Sequence, residues 1–342
     1  MKTAYIVKAY RTAVGKAPRG VFRFKRADEL GAETIQHMMK ELPDLDVKRI
    51  DDVIVGNAMP EGAQGLNMGR FISLIGLNSV DVPGVTVNRF CSSGIETIGM
   101  ATAKIQAGMA NCIIAGGAES MSSVPMTGFK PELNYNTINS GHADYYWGMG
   151  NTAEAVANQF NISREDQDEF AYKTQLNYQN ALNANKFENE IIPVHIPQRK
   201  GDALVFQQDE HPRLSTVDQL SKLSAAFKSG GTVTAGNASG INDGAAALLI
   251  VSEEALKRYN LEPIAEVVSS AAAGVPPEMM GIGPVPATQK ALKRAGIGVK
   301  DLDLVELNEA FAAQAIACMR DLDLNPDIVN VNGGSIAIGH PL

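Results

Sequence analysis

A cysteine followed by small polar residues ends an apolar run in residues 85–94, which read VTVNRFCSSG. Residues 95–105 continue with isoleucines at helical spacing, so the pattern predicts a strand that delivers Cys91 to the start of a helix. Ser93 and Glu96 fit the Ser-x-x-Glu capping box. A thiol at such a helix start is expected to have a lowered pKa and to act as a nucleophile. Taken alone, Cys91 fits a buried free cysteine equally well.

Two further stretches hold polar residues that could assist a nucleophile. Asn308 interrupts a predicted strand-to-helix junction, and by itself it also fits a helix cap. His340 ends a glycine-rich turn beside a proline, which would hold its imidazole rigidly, so among the five histidines it is the best candidate base for a cysteine. By itself, a lone histidine in a loop is usually a solvated side chain. A glycine-rich stretch at residues 231–246 has small residues that allow a ligand close to the backbone.

The composition indicates a globular protein of two or more domains. The 342 residues are 45% hydrophobic and 20% charged, and no apolar run reaches membrane-spanning length. The net charge of −8 argues against nucleic-acid binding. Three cysteines give no disulfide framework or Cys-x-x-Cys pair, so we expect no metal site, and Cys112 and Cys318 lie in apolar runs that predict burial. Because a strand begins at once without a leader, we expect a cytoplasmic protein.

Strands and helices alternate through the first 118 residues, which predicts an α/β fold. The predicted elements are strand 4–7, helix 27–42, strand 52–55, the strand and helix around Cys91, and strand 112–115. Residues 119–244 are rich in Pro, Asn, Gln and charged residues, and we interpret them as a long surface insertion with a helix over 164–185. Residues 245–251 return as a buried strand that is expected to rejoin the first sheet.

A second α/β pattern begins at Ile264 and repeats the first at an offset of 252 residues. Residues 47–58 correspond to residues 299–310, with apolar and charged positions kept in order. The repeat predicts two similar domains packed together, with a site where their strand ends meet.

These stretches together resemble the thiolases along the whole chain. The matching motifs are VNRFCSSG at 87–94, GGAESMS at 116–122, TAGNASGINDGAAA at 234–247, NEAFAAQ at 308–314 and GGSIAIGHP at 333–341. The resemblance implies an α/β thiolase-like fold of two similar mixed-sheet domains packed as αβαβα layers, with a long loop domain inserted in the first. The implied domains are 1–118 plus 245–262, the loop domain 119–244 over the CoA site, and an incomplete C-terminal domain 263–342.

Thiolases cleave or form the C–C bond of 3-oxoacyl-CoA thioesters through an acyl-enzyme on a cysteine. The resemblance implies that Cys91 is this nucleophile, that His340 activates it and helps stabilise the thioester oxygen, and that Asn308 orients an oxyanion-hole water. The resemblance further implies that Ser239 and Ala235 contact the pantetheine of CoA and that Met149 and Phe311 line the acyl end. Arg213 is implied to contact the nucleotide, although it lies one residue out of register with the family's arginine.

Within the family, the sequence looks most like the degradative 3-ketoacyl-CoA thiolases of fatty-acid β-oxidation, through Phe22-Arg23 and residues 279–286. Gly148 also stands where biosynthetic acetoacetyl-CoA thiolases often carry a histidine. An acetyl-CoA C-acetyltransferase is the alternative, because acyl length depends on loop shape. A non-catalytic CoA or lipid-binding relative and a decarboxylating condensing enzyme are further alternatives. A cysteine peptidase is disfavoured because no peptidase signature surrounds Cys91.

The resemblance also sets the expected ligands and partners. CoA and acyl-CoA are expected as substrates, without a separate cofactor. The expected assembly is a homodimer or homotetramer, with a β-oxidation multienzyme subunit as a further candidate partner. Thiolases continue past the GHP motif to a Cys-x-Gly-x-Gly motif whose cysteine is the second acid/base. Since this sequence has no such motif, we expect a poorly active fragment of a longer enzyme.

Overall fold

The computed structural model describes residues 2–342. Its strands are β1 (Ala4–Thr12), β2 (Gly15–Lys16), β3 (Asp52–Gly56), β4 (Gly84–Val87), β5 (Cys112–Ser120), β6 (Ile191–Ile192), β7 (Val194–Ile196), β8 (Leu204–Phe206), β9 (Asn242–Ser252) and β10 (Ala265–Glu266). Its helices are α1 (Ala27–Lys40), α2 (Met68–Leu77), α3 (Ser93–Gln106), α4 (Tyr135–Asn139), α5 (Met149–Gln159), α6 (Arg164–Asn183), α7 (Val217–Ser221), α8 (Glu253–Arg258), α9 (Pro284–Ala295), α10 (Ala312–Asp321) and α11 (Ser335–Ile338).

One mixed sheet organises the N-terminal part, in the order β10-β1-β9-β5-β3-β4. Strands β3, β4 and β5 are parallel, whereas β9 is antiparallel to both β1 and β5. The prediction that residues 245–251 rejoin the first sheet is therefore confirmed. Because the three parallel strands point the same way, their carboxyl ends and the start of β9 meet at one edge of the sheet.

Alternate residues of the central strands bury the two faces of this sheet. Val53 and Val55 of β3 pack in the core with α1 and α2, whereas Ile54 between them packs in a second core with α3. Fully burying such a side chain stabilises the fold by about 1.5–3 kcal/mol. Burial on both faces explains why these strands read as continuous apolar runs in the sequence.

The inserted region supplies the helices that support the second half of the chain. Helix α6 has a complete capping box between Ser163 and Asp166, and it packs against α10 and α11. Helix α10 is buried along most of its length and also contacts α5. Among residues 2–342, no helix combines the length and the hydropathy needed to cross a membrane.

The internal repeat is visible in the backbone. A 3₁₀ turn at Val47–Arg49 precedes β3, and its counterpart at Val299–Asp301 precedes an extended segment in the second half. That segment pairs with its neighbour through a parallel bridge between Val305 and Val329, where β3 has a longer parallel ladder to β4. The domain boundaries given above stay a prediction.

Candidate active site

Polar side chains stand where β3, β4 and β5 end and β9 begins. Asn57 and Asn88 directly follow β3 and β4. Glu119 lies near the end of β5, and Asn242 begins β9. Asn57 Nδ2 donates to Ala118 O at 3.1 Å and ties the chain leaving β3 to β5. In open α/β sheets this edge is where ligands bind, so the candidate site lies here.

The loop before Cys91 is held in an unusual backbone conformation. Phe90 has a φ of +46°, which is uncommon for a bulky residue and has to be supported by its surroundings. Phe90 N donates to Asn88 Oδ1 at 2.8 Å, and Ser93 Oγ donates to Phe90 O at 2.6 Å. Asn88 Nδ2 in turn donates to Ala58 O at 2.9 Å. These bonds fix the turn that presents Cys91.

Helix α3 begins two residues after Cys91, as the sequence predicts, but the predicted capping box is wrong. Ser92 is the N-cap and makes no side-chain capping bond. Ser93 Oγ accepts from Arg89 N at 2.9 Å, and Glu96 forms an ion pair with Arg89 at 2.8 Å. The Glu96 carboxylate, which the capping-box pattern assigns to the backbone at the helix start, therefore pairs with Arg89 instead.

The structure separates Cys91 from the other two cysteines. Cys91 is exposed, whereas Cys112 and Cys318 are buried, so the buried-cysteine interpretation applies only to the latter two. Cys112 begins β5, at the end of the strand opposite to Glu119. Cys318 Sγ donates to Gly281 O at 3.4 Å within α10's packing surface.

The predicted lowering of the Cys91 pKa is wrong. The surrounding protein limits hydration of the thiolate and raises the pKa of Cys91, the residue's own backbone N–H acts in the opposite direction, and the negative charge of Glu119 adds to the rise. Desolvation thus outweighs the helix start. At neutral pH the thiol is protonated, so a base has to take its proton during attack.

Asn308 and His340 lie in direct contact. Asn308 Nδ2 is 3.4 Å from His340 Nε2, and Asn308 Oδ1 accepts from Ser335 Oγ at 2.8 Å. Helix α10 has Phe311 as its N-cap, so Asn308 is not a capping residue. Burial lowers the pKa of His340 to about 4, which leaves a neutral imidazole able to accept a proton at pH 7.

Asn242 connects the His340 loop to the first sheet. Its Oδ1 accepts from His340 N at 3.0 Å, and its Nδ2 donates to Gly15 O at 2.9 Å. Gly339 has a φ of +107° and its Cα faces Asn242 so closely that a Cβ would overlap the amide. A larger residue at position 339 would therefore displace His340.

Cys91 and His340 both lie near the same edge of the sheet. Glu119, which acts on the Cys91 thiol, pairs with Gly244 across β5 and β9, and Pro341 lies against Gly244. Within residues 2–342, the Cys91 thiol forms no hydrogen bond to Asn308 or His340. The structure thus brings the predicted base His340 against Asn308 and places the predicted nucleophile Cys91 at the same edge.

The predicted pantetheine contacts lie on a turn beside Asn308. Ser239 N and Ser239 Oγ both donate to Ala310 O at 3.0 Å, and Ala238 pairs with Phe311 in an antiparallel bridge. Ala235 is exposed at the other end of this turn. Ser239 is therefore bonded to the Asn308 loop, and Ala235 is free to contact a ligand.

Phe311 and Gly150, the residue after Met149, contact the same aromatic side chain, Phe227. Phe227 packs over Gly150, and its ring meets the Phe311 ring edge to face at 5.8 Å between centroids. Arg213 lies elsewhere: it is exposed, and its backbone N donates to Gln175 Oε1 on α6.

Sequence reasoning missed a buried carboxylate beside Asn308. Glu309 is fully buried and accepts from Asn330 Nδ2 at 2.6 Å, Thr174 Oγ1 at 3.0 Å and Ile336 N at 3.2 Å. Burial raises the pKa of Glu309 to about 7, and these hydrogen bonds oppose the rise. The signal in the sequence was a charged residue directly after Asn308 and before the apolar run Ala-Phe-Ala-Ala.

Glu119 is a second buried carboxylate whose role the sequence did not reveal. It accepts from Ala58 N at 2.7 Å and from Gln64 Nε2 at 2.6 Å, and burial raises its pKa. Because Ala58 O also holds Asn88, the carboxylate supports the turn before Cys91. The described part of the chain contains no group of three or more His, Cys, Asp or Glu side chains arranged to hold a metal ion.

Comparison with known proteins gives consistent matches over the whole chain. The model for the thiolase N-terminal domain matches residues 4–254, and that for the thiolase C-terminal domain matches residues 261–342. A 3-ketoacyl-CoA thiolase of Bacillus subtilis (strain 168) is 47% identical, with 100% of this chain and 89% of the relative covered. A beta-ketoadipyl-CoA thiolase of Acinetobacter baylyi is also 47% identical, with 100% and 90% covered.

Solved structures agree with these matches. The crystal structure of human mitochondrial 3-ketoacyl-CoA thiolase superposes with a TM-score of 0.90 at 37% sequence identity, covering 100% of this chain and 88% of that one. Its complex with CoA gives a TM-score of 0.89 at the same identity, covering 99% and 87%. The likeness therefore extends through both repeats, and the chain belongs to the thiolase family.

Proposed function

We propose that this protein is a 3-ketoacyl-CoA thiolase, an acetyl-CoA acyltransferase of fatty-acid degradation. It cleaves 3-ketoacyl-CoA with CoA to acetyl-CoA and an acyl-CoA shortened by two carbons, through an acyl-Cys91 intermediate. The observation that carries the proposal is the neutral His340 imidazole, 3.4 Å from the Asn308 amide, at the same sheet edge as the exposed Cys91.

The chemistry follows from the protonation states at the site. His340 takes the proton of the Cys91 thiol as Sγ attacks the C3 carbonyl of the substrate, and the oxygen that gains negative charge is stabilised from the Asn308–His340 side. The C2–C3 bond then breaks, its electron pair passes to C2 of the departing acetyl-CoA, and C2 takes one proton from a separate acid. The thiol of CoA gives its proton to the conjugate base of that acid and attacks the acyl thioester. Cys91 leaves and takes back the proton held by His340.

The proton at C2 needs a separate source. Cys112 lies at the far end of β5, and Cys318 is engaged with Gly281 inside the packing of α10, so neither buried thiol can supply it. Burial also raises their pKa values, to about 12 for Cys112 and about 11 for Cys318. The acyl transfer to Cys91 is thus the step that the described residues support most completely.

The acyl end favours an apolar chain. Phe227 and Phe311 meet edge to face beside the start of α5, where Met149 lies, and this lining offers no charge to a terminal carboxylate. The A. baylyi relative named beta-ketoadipyl-CoA thiolase makes a dicarboxylic 3-ketoacyl-CoA the second candidate substrate. Acetoacetyl-CoA is the third, as the substrate of an acetyl-CoA C-acetyltransferase.

Thiolysis rates decide among these substrates. We expect kcat/KM to rise from acetoacetyl-CoA to 3-ketooctanoyl-CoA and to be lower for 3-ketoadipyl-CoA. Turnover confined to acetoacetyl-CoA would identify an acetyltransferase, and a preference for 3-ketoadipyl-CoA would identify the dicarboxylic enzyme. Binding of CoA thioesters without turnover or acylation would contradict the proposal and indicate a non-catalytic carrier.

CoA and acyl-CoA are the only small molecules the proposed reaction needs, because its charge development is met by Asn308, His340 and the cysteine itself. We place the protein in the cytoplasm, since its three cysteines are all free thiols, which suits a reducing compartment. Activity that survives dialysis against a metal chelator would support the absence of a metal cofactor, and its loss would contradict it.

We further propose that the protein is a homodimer or homotetramer built through β4. This strand lies at the edge of the sheet, and Asn67 Nδ2 donates to its Gly84 O at 2.9 Å. Leu66 next to it is 90% exposed, and Ile95, in the first turn of α3, is 69% exposed. An unpaired edge with apolar neighbours favours strand pairing with another copy.

Light scattering at micromolar concentration should show the oligomer, and a monodisperse monomer would contradict it. Co-purification with a β-oxidation multienzyme subunit would add a larger species.

A further inference from the structure

We infer that Ser335 is a positioning residue that sets the orientation of the Asn308 amide toward His340. The inference rests on the proposed thiolase activity and adds to it a residue outside the nucleophile, base and amide. Ser335 Oγ accepts from Glu309 N at 2.8 Å and donates to Asn308 Oδ1 at 2.8 Å.

The hydroxyl can do this because it carries a single proton. The Glu309 N–H occupies a lone pair of Ser335 Oγ, so the hydroxyl proton is directed to Asn308 Oδ1. This contact leaves Asn308 Nδ2 on the side of His340 Nε2, at 3.4 Å. Turning the amide over would break the bond from Ser335 and place Oδ1, instead of Nδ2, against His340 Nε2.

Ser335 is itself held on both sides. The residue before it, Gly334, donates its N–H to Thr174 Oγ1 at 2.7 Å, and the residue after it, Ile336, donates its N–H to Glu309 Oε2 at 3.2 Å. The Glu309 carboxylate therefore accepts a hydrogen bond from Ile336 in the Ser335 segment, while the Glu309 N–H donates to Ser335 Oγ. The hydroxyl accepts from Glu309 N and donates to Asn308, so Ser335 acts through Asn308.

The alternative is that Ser335 only links two loops. If Ser335 only links the loops, its removal should lower stability and weaken substrate affinity in general. If it orients the amide, its removal should lower kcat, because only stabilisation of the charged transition state is lost. Thr174 provides the matched comparison, because it binds the same loop and Glu309 but does not touch Asn308.

The test measures thiolysis of 3-ketooctanoyl-CoA by the wild type, S335A, S335T, T174V, N308A and the S335A/N308A double variant. We expect S335A to lower kcat about 10- to 100-fold, since a misdirected amide loses part of an oxyanion donor worth about 10²–10³-fold. We expect KM of S335A to change by less than about threefold and S335T to restore kcat. The T174V substitution should affect the melting temperature more strongly than it affects kcat. In the N308A background, S335A should have almost no further effect.

Three results would overturn the inference. Unchanged kcat in S335A would show that the amide needs no hydroxyl, and an equal loss of kcat with and without Asn308 would show a role independent of the amide. A loss in S335A that T174V reproduces and S335T does not restore would show loosening of the loops. A wild-type enzyme that neither turns over nor becomes acylated would overturn the proposed function itself, and with it this role.

Discussion

The proposed nucleophile and the proposed base are held by different kinds of structure. Cys91 directly follows the parallel ladder that joins β4 to β3, and local hydrogen bonds of Asn88 and Ser93 fix its turn. Asn308 and His340 lie in segments that have isolated β-bridges in place of a ladder, and hydrogen bonds with side chains also hold them. A buried polar group left without its partner costs about 1–3 kcal/mol. The base side is therefore the part of the site that single substitutions should disturb most.

The two sides also differ in the direction of their pKa shifts. The surrounding protein limits hydration of both groups, which raises the pKa of Cys91 and lowers that of His340 to about 4, so both groups are neutral near pH 7. A preformed thiolate–imidazolium pair is thus disfavoured, and proton transfer accompanies the attack. The comparison teaches that neither Cys91 nor His340 is charged before substrate binds, in contrast to a cysteine activated by a helix start alone.

The largest expected effect comes from removing the base. We expect His340→Ala to lower kcat for thiolysis by about 10²–10⁴-fold, the usual contribution of a general base. His195, exposed on β7, provides the control, and His195→Ala should change kcat by less than about twofold. In the wild type, His340 keeps its base form as pH falls from 8 to 6 and loses it only near pH 4. Full activity in His340→Ala would break the assignment of the base.

A smaller effect concerns the buried carboxylate that anchors the base side. With the folded-state pKa of Glu309 raised to about 7 from 4.5, the folded state holds its proton more tightly than the unfolded state. The free energy of unfolding should therefore fall as pH rises from about 4.5 to about 7, by roughly 3 kcal/mol from this group. Above pH 7 this contribution stays constant.

Denaturant unfolding of the wild type and Glu309→Gln between pH 4.5 and 8 measures this difference. The variant should lack the loss between pH 4.5 and 7, while the exposed Glu188→Gln should follow the wild type. Parallel pH curves for the wild type and Glu309→Gln would show that Glu309 is ionised in both states and that the base side is anchored otherwise.

The smallest effect sharpens the description of the nucleophile side. Iodoacetamide should modify Cys91 before Cys112 and Cys318, because Cys91 is exposed and the other thiols are buried. Since limited hydration of the thiolate raises the pKa of Cys91, its alkylation rate should still increase with pH above 8.5, the pKa of a free cysteine. Peptide mapping after timed alkylation gives both results. Modification of Cys112 or Cys318 before Cys91 would overturn the assignment of Cys91 as nucleophile. An alkylation rate of Cys91 that levels off below pH 8 would mean that its pKa is lowered.

Local patterns in the sequence predicted the elements well. The helix over 27–42 and the strand over 52–55 correspond to α1 and β3, because α1 buries one apolar face and β3 is a short apolar run buried on both faces. The strand predicted over 112–115 continues to Ser120 in β5. Gly116 and Gly117 suggested an end to this strand, yet they pair with β3 on one side and β9 on the other, and Gly116 lies so close to Ala246 O that no Cβ fits.

The site was predictable as a set of residues but not as a set of interactions. Motifs in the sequence brought Cys91, Asn308 and His340 together, whereas the partners of Asn308 lie in distant segments and depend on the fold. The direction of the Cys91 pKa could not be predicted, because desolvation by surrounding chain has no local signal. The failed capping box has the same origin, since Arg89 competes for Glu96 only in the folded turn.

The most direct test of the central claim is whether Cys91 carries the acyl group. Intact-mass spectrometry after treatment with acetoacetyl-CoA, without free CoA, should show one added acetyl group, and peptide mapping should locate it on Cys91. Cys91→Ala should bind the CoA thioester without gaining mass. An acetyl group that still appears on Cys91→Ala, or a wild type that binds the thioester and never gains mass, would contradict the account.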